Sequence, residues 1–397
     1  MSEINFDQIF DRRNTACAKW DEMDEKYGTA DLIHLGVADM DFQAPKQIRD
    51  TLSTVIEYGV FGYTNLSNGF YASIQRWIKK RIGEDIPKEW IVFCPRINIS
   101  SSISIAVLTE PGDKVIMHAP YYMPLHNAVT KNHRELLESP LKLADGRYEI
   151  DFVQMESLVD EKTKMLVLCN PHNPCCRSWN AEEMGKLADF CIRHDLLLFS
   201  DEIHSDIRPE GKEFVSALNM KEALKERLIY VNSPTKTFNI PGVILSYMII
   251  PNPLIREAVA NEIDRIGMHN PTSFANAAIQ SGYCDCDTWL HELNAYIDSN
   301  EKYVRDYMST QMPGFCIMPR EGTYLLWIDC RELHISDEEL EKWFVCEAGV
   351  SVYRGDTFGS FGTGFIRLNL GTSKSLLEEA MKRMKHVYHK IDRERKI

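Results

Sequence analysis

The chain has 397 residues, 45 basic against 58 acidic side chains, and a net charge of −13, with 44 % apolar and 26 % charged content. This is the composition of a folded globular protein of two or three domains, and it excludes a disordered, fibrous or coiled-coil chain. A net anion of this size also makes a poor general nucleic-acid binder, because phosphate neutralisation needs clustered cations, yet a small local anion site remains compatible with it. Met1–Arg13 is charged from its third residue and shows no apolar leader. From about Asp113 to Ile250, short β-rich runs alternate with helical patterns. The runs are Lys114–His118, Lys164–Cys169, Leu196–Ser200, Arg227–Ser233 and Gly242–Ile250. Between the second and third, Glu182–Arg193 sets Met184, Leu187, Ala188, Cys191 and Ile192 on one helical face. Continuous apolar strands separated by amphipathic helices predict an α/β fold, a mainly parallel sheet sandwiched by helices.

After about Cys284 helical stretches dominate, with short strands expected at Gly322–Asp329, Ser351–Tyr353 and Phe365–Leu370. A last helix is expected from Ser375, with Glu378 completing a capping box. It carries Leu377, Ala380, Met381, Met384, Val387, Tyr388 and Ile391 on one face, and its basic end, Arg393–Lys396, reads as solvated. The expected organisation is an N-terminal segment 1–47 joining a small domain, a large α/β domain 48–283, and a small α+β domain 284–397. The longest apolar run, Gly242–Ile250, is half the length of a membrane span, so a soluble, cytoplasmic chain is expected. Eleven cysteines, an odd number without zinc-finger spacing, read as buried reduced thiols, and no metal site is expected.

Ligand sites in such sheets lie beyond the carboxyl ends of the strands. Three predicted strands end in polar motifs: Asn170-Pro-His-Asn-Pro174, Asp201-Glu-Ile-His204, and Ser233-Pro-Thr-Lys236-Thr-Phe-Asn239. Each motif alone is weak, but their order and strand-end placement single them out together.

These motifs resemble the fold-type-I pyridoxal-phosphate enzymes, and within them the bacterial C–S β-lyases of the cystalysin and cystathionine β-lyase type. The likeness runs end to end through Val37-Ala-Asp-Met-Asp-Phe42, Phe61-Gly-Tyr-Thr64, Pro111-Gly-Asp113, Ala119-Pro-Tyr-Tyr122, Glu321-Gly-Thr-Tyr324 and Phe365–Asn369. It implies an aspartate-aminotransferase-like fold with a seven-stranded sheet, pyridoxal 5′-phosphate as cofactor, an amino-acid substrate, and a homodimer with shared active sites.

By this resemblance Lys236 forms the imine with the cofactor and acts as base at Cα, as an amine with a lowered pKa can. Asp201 would pair with the pyridinium nitrogen, Asn173 and His204 with the phenolic oxygen, and Tyr121 would stack on the ring. Arg96, Ile97 and Asn98 occupy the phosphate cup at a helix start, Ser233 adds a hydroxyl, and Tyr63 reaches the phosphate from the neighbouring subunit. Arg367 would clamp the substrate carboxylate bidentately, with Tyr122 and Tyr324 as pocket walls.

Three positions depart from the family pattern. Position 96, normally small, is Arg96. Position 244, where related aminotransferases hold the phosphate with an arginine, is Ile244, and Arg96 is expected to supply that cation. The usual Asn-Pro-x-Gly turn reads Asn173-Pro-Cys-Cys176, which imposes strain if the last position needs positive φ. The expected activity is β-elimination from an S-linked cysteine derivative such as cystathionine, giving pyruvate, ammonia and a thiol. Transamination uses the same carbanion and stays open, as does a regulatory cofactor-binding role.

Overall fold

The computed structural model describes residues 4–29 and 31–395. Seven strands form the large sheet: β1 (Ile91–Cys94), β2 (Lys114–Ala119), β3 (Glu135–Pro140), β4 (Thr163–Cys169), β5 (Leu197–Asp201), β6 (Leu228–Asn232) and β7 (Ser246–Ile249). Their spatial order is β1-β7-β6-β5-β4-β2-β3. β2 to β6 pair in parallel, and β7 runs antiparallel to both of its neighbours.

Side chains alternate across a strand, and here both faces are buried. Met165 and Val167 pack on one side with Val115, Met117, Phe199, Ile229 and Val231. Leu166 and Leu168 pack on the other with Ile116, Leu198 and Tyr230. Two helices matter for the site. α1 (Ile97–Leu108) follows β1, and α2 (Ala181–Arg193) starts at an Asn180/Glu183 capping box and buries Met184, Leu187, Ala188 and Cys191.

The second lobe is a four-stranded antiparallel sheet of β8 (Cys316–Ile317), β9 (Leu325–Asp329), β10 (Tyr353–Arg354) and β11 (Phe365–Asn369), ordered β8-β9-β11-β10. Stacked Trp327 and Phe365 rings, 5.1 Å apart, lie in its core. α3 (Asp287–Gln311) and α4 (Lys374–Arg395) belong to the same half of the chain. The N-terminal segment reaches this lobe through a short parallel pair, Ile33–His34 with Val350–Ser351.

Several predicted elements need correction. Gly242–Ile250 is not one strand: Pro241–Val243 forms a 3-10 turn and Ile244 turns left-handed at φ +57°, so extension begins only at Ser246. Gly322–Tyr324 likewise forms a bend, with Thr323 at φ +67°, before β9 starts. The predicted Ser351–Tyr353 strand splits between two sheets. α4 begins at Lys374, and Ser373 takes the capping role expected of Ser375 by accepting from Leu376 N–H at 3.4 Å. Its buried face holds Leu377, Ala380, Met381, Met384 and Val387, with Tyr388 partly buried. The side chain of Ile391 and the basic end from Arg393 lie outside the described residues. The cysteines are free thiols, seven of them buried, but Cys316 and Cys346 are exposed, against the expectation that all are buried.

The two lobes are joined beside the sheet's carboxyl edge. Buried Arg177 donates to Tyr148 O at 2.6 Å, to Glu183 at 2.5 Å and to Glu321. Glu321 also accepts from Arg147 Nε at 2.8 Å. The Cys176 carbonyl accepts from Glu321 N–H at 2.9 Å and Gly322 N–H at 3.2 Å. A Cβ at Gly322 would lie 2.4 Å from Pro171 Cγ. Because a proline ring cannot swing aside, Gly322→Ala is expected to push the 171–177 turn away from the second lobe. The expected cost is about 1–3 kcal/mol, as for other overpacked sites, read as a lower thermal midpoint than wild type.

Candidate active site

β4, β5 and β6 end side by side, and the chain leaving each delivers one polar cluster to a shared cleft. After β4 comes Asn173, at the end of β5 Asp201 with Ile203 and His204 behind it, and after β6 Ser233 and Lys236. The start of α1 adds Arg96, Ile97 and Asn98, and the Val37–Asp41 segment adds Ala38.

The turn holding Lys236 is tightly specified. Ser233 Oγ accepts from Thr235 N–H at 3.1 Å and donates to the Leu245 carbonyl. The next residue, Thr237, donates to Asp206 at 2.9 Å, and Asp206 also accepts from Trp77 Nε1 at 3.1 Å and Arg81 Nε at 2.9 Å. Lys236 Nζ donates to the Ala38 carbonyl. Burial lowers the Lys236 pKa to about 8, with Asp39 and Asp201 opposing the shift and Arg367 adding to it. Burial raises Asp201 to about 6, against the Ile203 N–H and the Lys236 charge. His204, pushed well down by burial and then by the charges of Lys236 and Arg367, is a neutral imidazole, and its buried Nδ1 has no hydrogen-bond partner.

Arg367 sits on β11, 2 % exposed and not among the residues lining the cleft, against the rings of Tyr353 and Phe358 at 4.9 and 4.7 Å. It donates to Asn173 Oδ1 at 2.9 Å and Gly36 O at 3.0 Å, which leaves Nε without a partner. The bond to Asn173 Oδ1 leaves the Asn173 amide N–H₂ as its free group. Tyr324 is fully buried and donates to the Ala38 carbonyl at 2.7 Å, so it shares that carbonyl with Lys236 rather than walling the cleft.

One predicted site residue is displaced by a single position. Tyr121 does not line the cleft: its ring stacks on His126 at 5.3 Å and its hydroxyl donates to Glu138 at 2.7 Å. Tyr122 lines the cleft instead. Tyr63 is fully exposed and does not line its own chain's cleft. Cys176 does adopt positive φ, +61°, with Sγ 3.1 Å from the Leu325 carbonyl. Sequence reasoning missed the Ala38 carbonyl, Cys169, Ile203 and Ser246 as cleft residues, and Ile244 lines the same wall. Only Ile203, between Asp201 and His204, carried a positional signal.

The family profile "Aminotransferase class I and II" matches residues 30–384. The chain is 35 % identical over 383 residues to cystathionine beta-lyase PatB of Bacillus subtilis, covering 96 % of this chain and 99 % of that one. Among solved structures, cystalysin of Treponema denticola with its pyridoxal 5′-phosphate cofactor is similar at TM-score 0.95 and 32 % identity, over 98 % of this chain and 99 % of that one. The pyridoxal-phosphate-bound C–S lyase of Staphylococcus hominis is similar at TM-score 0.91 and 29 % identity, covering 98 % of each chain.

The desolvated amine makes a direct prediction. In the cofactor-free chain, acylation of Lys236 by an amine-directed reagent should rise through pH about 8. Solvated lysines should rise near their ordinary value of about 10.4. Peptide mapping across a pH series measures both.

Proposed function

The chain belongs to the class I and II aminotransferase family and is a pyridoxal-phosphate-dependent carbon–sulfur β-lyase, and from that premise we propose that it carries out α,β-elimination on a cysteine S-conjugate such as cystathionine. The observation that carries this reading is the buried Lys236 amine sharing a cleft with Asp201, within electrostatic range of Arg367. The donor set fits the cofactor. Lys236 would supply the amine for its aldehyde, Asp201 a carboxylate for the ring nitrogen, and the unpartnered His204 Nδ1 and the Asn173 amide would serve its phenolic oxygen. Tyr122 and Ile203, both lining the cleft, would flank the ring. Helix N-termini leave their first N–H groups without intrahelical acceptors, so Ile97 and Asn98 would offer donors to the phosphate, whereas the Ser233 hydroxyl expected there already donates to the Leu245 carbonyl. Arg96 adds positive charge where Ile244 has none. Bound there, the cofactor supplies an electron sink for the negative charge that develops at the substrate Cα.

The protein's own groups do the rest. Arg367, held by Asn173 and Gly36, would pair with the substrate carboxylate and so fix the orientation of the Cα–H bond. Lys236, about half deprotonated at pH 8, takes the Cα proton. As the Cβ–S bond breaks, its electrons leave with the thiolate, and water hydrolyses the enamine product to pyruvate and ammonia.

The working form is a homodimer in a cytoplasmic setting. Exposed Ile56, Tyr58, Val60, Phe61 and Tyr63 form one apolar run, which supports burial against a second copy, with Tyr63 reaching the partner's phosphate site. Free thiols support a reducing compartment. Among the described residues no helix is long and apolar enough to cross a membrane.

Purified, cofactor-loaded protein given L-cystathionine should release pyruvate with no keto acid added. Turnover that requires a keto acid identifies transamination and overturns the proposal. Arg367→Lys should lose about 10–100-fold in kcat/KM, mainly through KM. A charge-assisted hydrogen bond of about 1.5–3 kcal/mol accounts for that loss, measured by initial rates of pyruvate release.

A further inference from the structure

The Val37–Asp41 segment lies between Lys236 and the N-terminal residues, and it is held rigidly. Asn369 Nδ2 donates to the Val37 and Asp39 carbonyls, both at 2.7 Å. Asn239 Nδ2 donates to the Met40 and Phe42 carbonyls at 2.9 and 2.7 Å. This framework presents the Ala38 carbonyl to Lys236 Nζ and holds the Asp39 carboxylate, one residue on, within electrostatic range of that amine. Asp39 Oδ2 accepts from Arg12 Nη2 at 2.6 Å, while Oδ1 is buried and has no hydrogen-bond partner. An unpaired buried carboxylate oxygen is costly, and this one sits within electrostatic range of the reactive amine.

The groups facing Lys236 come from every element around it. They are Asp39 on this segment, Asp201 at the end of β5, Arg367 on β11, and the neutral His204. Of the charged ones, Asp39 acts on the amine most strongly, ahead of Arg367 and Asp201. Arg12 in turn is bound on two sides. Its Nη1 donates to Asp41 Oδ1 at 2.9 Å and to Met40 O at 3.1 Å. Asp41 already accepts from Lys19 Nζ at 2.8 Å and Trp20 Nε1 at 3.1 Å. Arg12 is therefore the cation that offsets the Asp39 charge.

We propose that Asp39 is a positioning residue that sets the proton affinity of Lys236, and that Arg12, from the N-terminal segment, sets how strongly Asp39 does so. Residues 4–20, which contribute no strand to either sheet, thereby become part of the active-site electrostatics. This deepens the reading of Lys236 as the base and rests on it.

The test follows from the signs. Removing the Asp39 charge takes away an anion that favours the ammonium, so D39N lowers the Lys236 midpoint. Removing the Arg12 charge leaves Asp39 less offset, so R12Q raises it. Each shift should be at least half a pH unit, about threefold in proton affinity. R12K, which keeps the charge, should return the midpoint to wild type. The D39N/R12Q double variant should lie between the two single variants, because the two opposite charges act on the amine additively. The midpoint is read from the pH dependence of Lys236 acylation in the full-length, cofactor-free chain. A second reading is the pH midpoint of the visible absorbance change in the loaded enzyme. Simple loosening of the segment would move D39N and R12Q in the same direction. Shifts of the same sign, or none above 0.2 pH unit, overturn the proposal. Because the amine is titrated directly, the result does not depend on whether the enzyme releases pyruvate.

Discussion

An alkylamine is a useful base near neutral pH only when it is kept from water, and much of this structure serves that one requirement at Lys236. Burial supplies the shift, and it would leave the amine too acidic if no carboxylates stood near it. Asp39 and Asp201 restrain the shift and Arg367 reinforces it, leaving a group that changes charge at about pH 8. The same burial holds Asp201 near 6 and His204 neutral. The three groups therefore cannot be adjusted separately, since each is part of the others' surroundings.

Precision in the site comes from linkage between lobes rather than from either lobe alone. Arg367 belongs to the small sheet, yet it orients Asn173, which belongs to a turn of the large one. A few residues along that turn, Arg177 and the Cys176 carbonyl grip the Glu321–Gly322 bend. The rings of Tyr353 and Phe358, themselves packed edge to face, both lie against the Arg367 guanidinium, an arrangement that stabilises a desolvated cation. Substrate and cofactor sides are thus referenced to one frame before any ligand arrives.

Much of this was legible in the sequence because strands buried on both faces read as unbroken apolar runs, and the polar residue that stops each run marks the ligand edge. Asp201, Asn173, His204 and Lys236 could all be found that way, and the cleft contains all four. Consecutive tyrosines defeated the same logic. Residues 121 and 122 point in different directions, composition cannot rank them, and only the chain's path into the following helix shows that Tyr122 faces the cleft. The Ala38 carbonyl has no side-chain signature at all. The left-handed turn at Ile244 is equally silent, since a β-branched residue is among the last expected there. Asp39 and Arg12, 27 residues apart, meet only through tertiary structure.

Cys169 lines the cleft with its sulfur 3.3 Å from the Pro171 carbonyl, and burial raises its pKa far above the ordinary thiol range. A thiol held protonated is a weak nucleophile toward disulfides. An enzyme that liberates sulfur compounds beside its own cysteine would otherwise risk being capped by oxidised forms of its product. Keeping that sulfur inert allows the cleft to turn over in a thiol-rich milieu without self-poisoning.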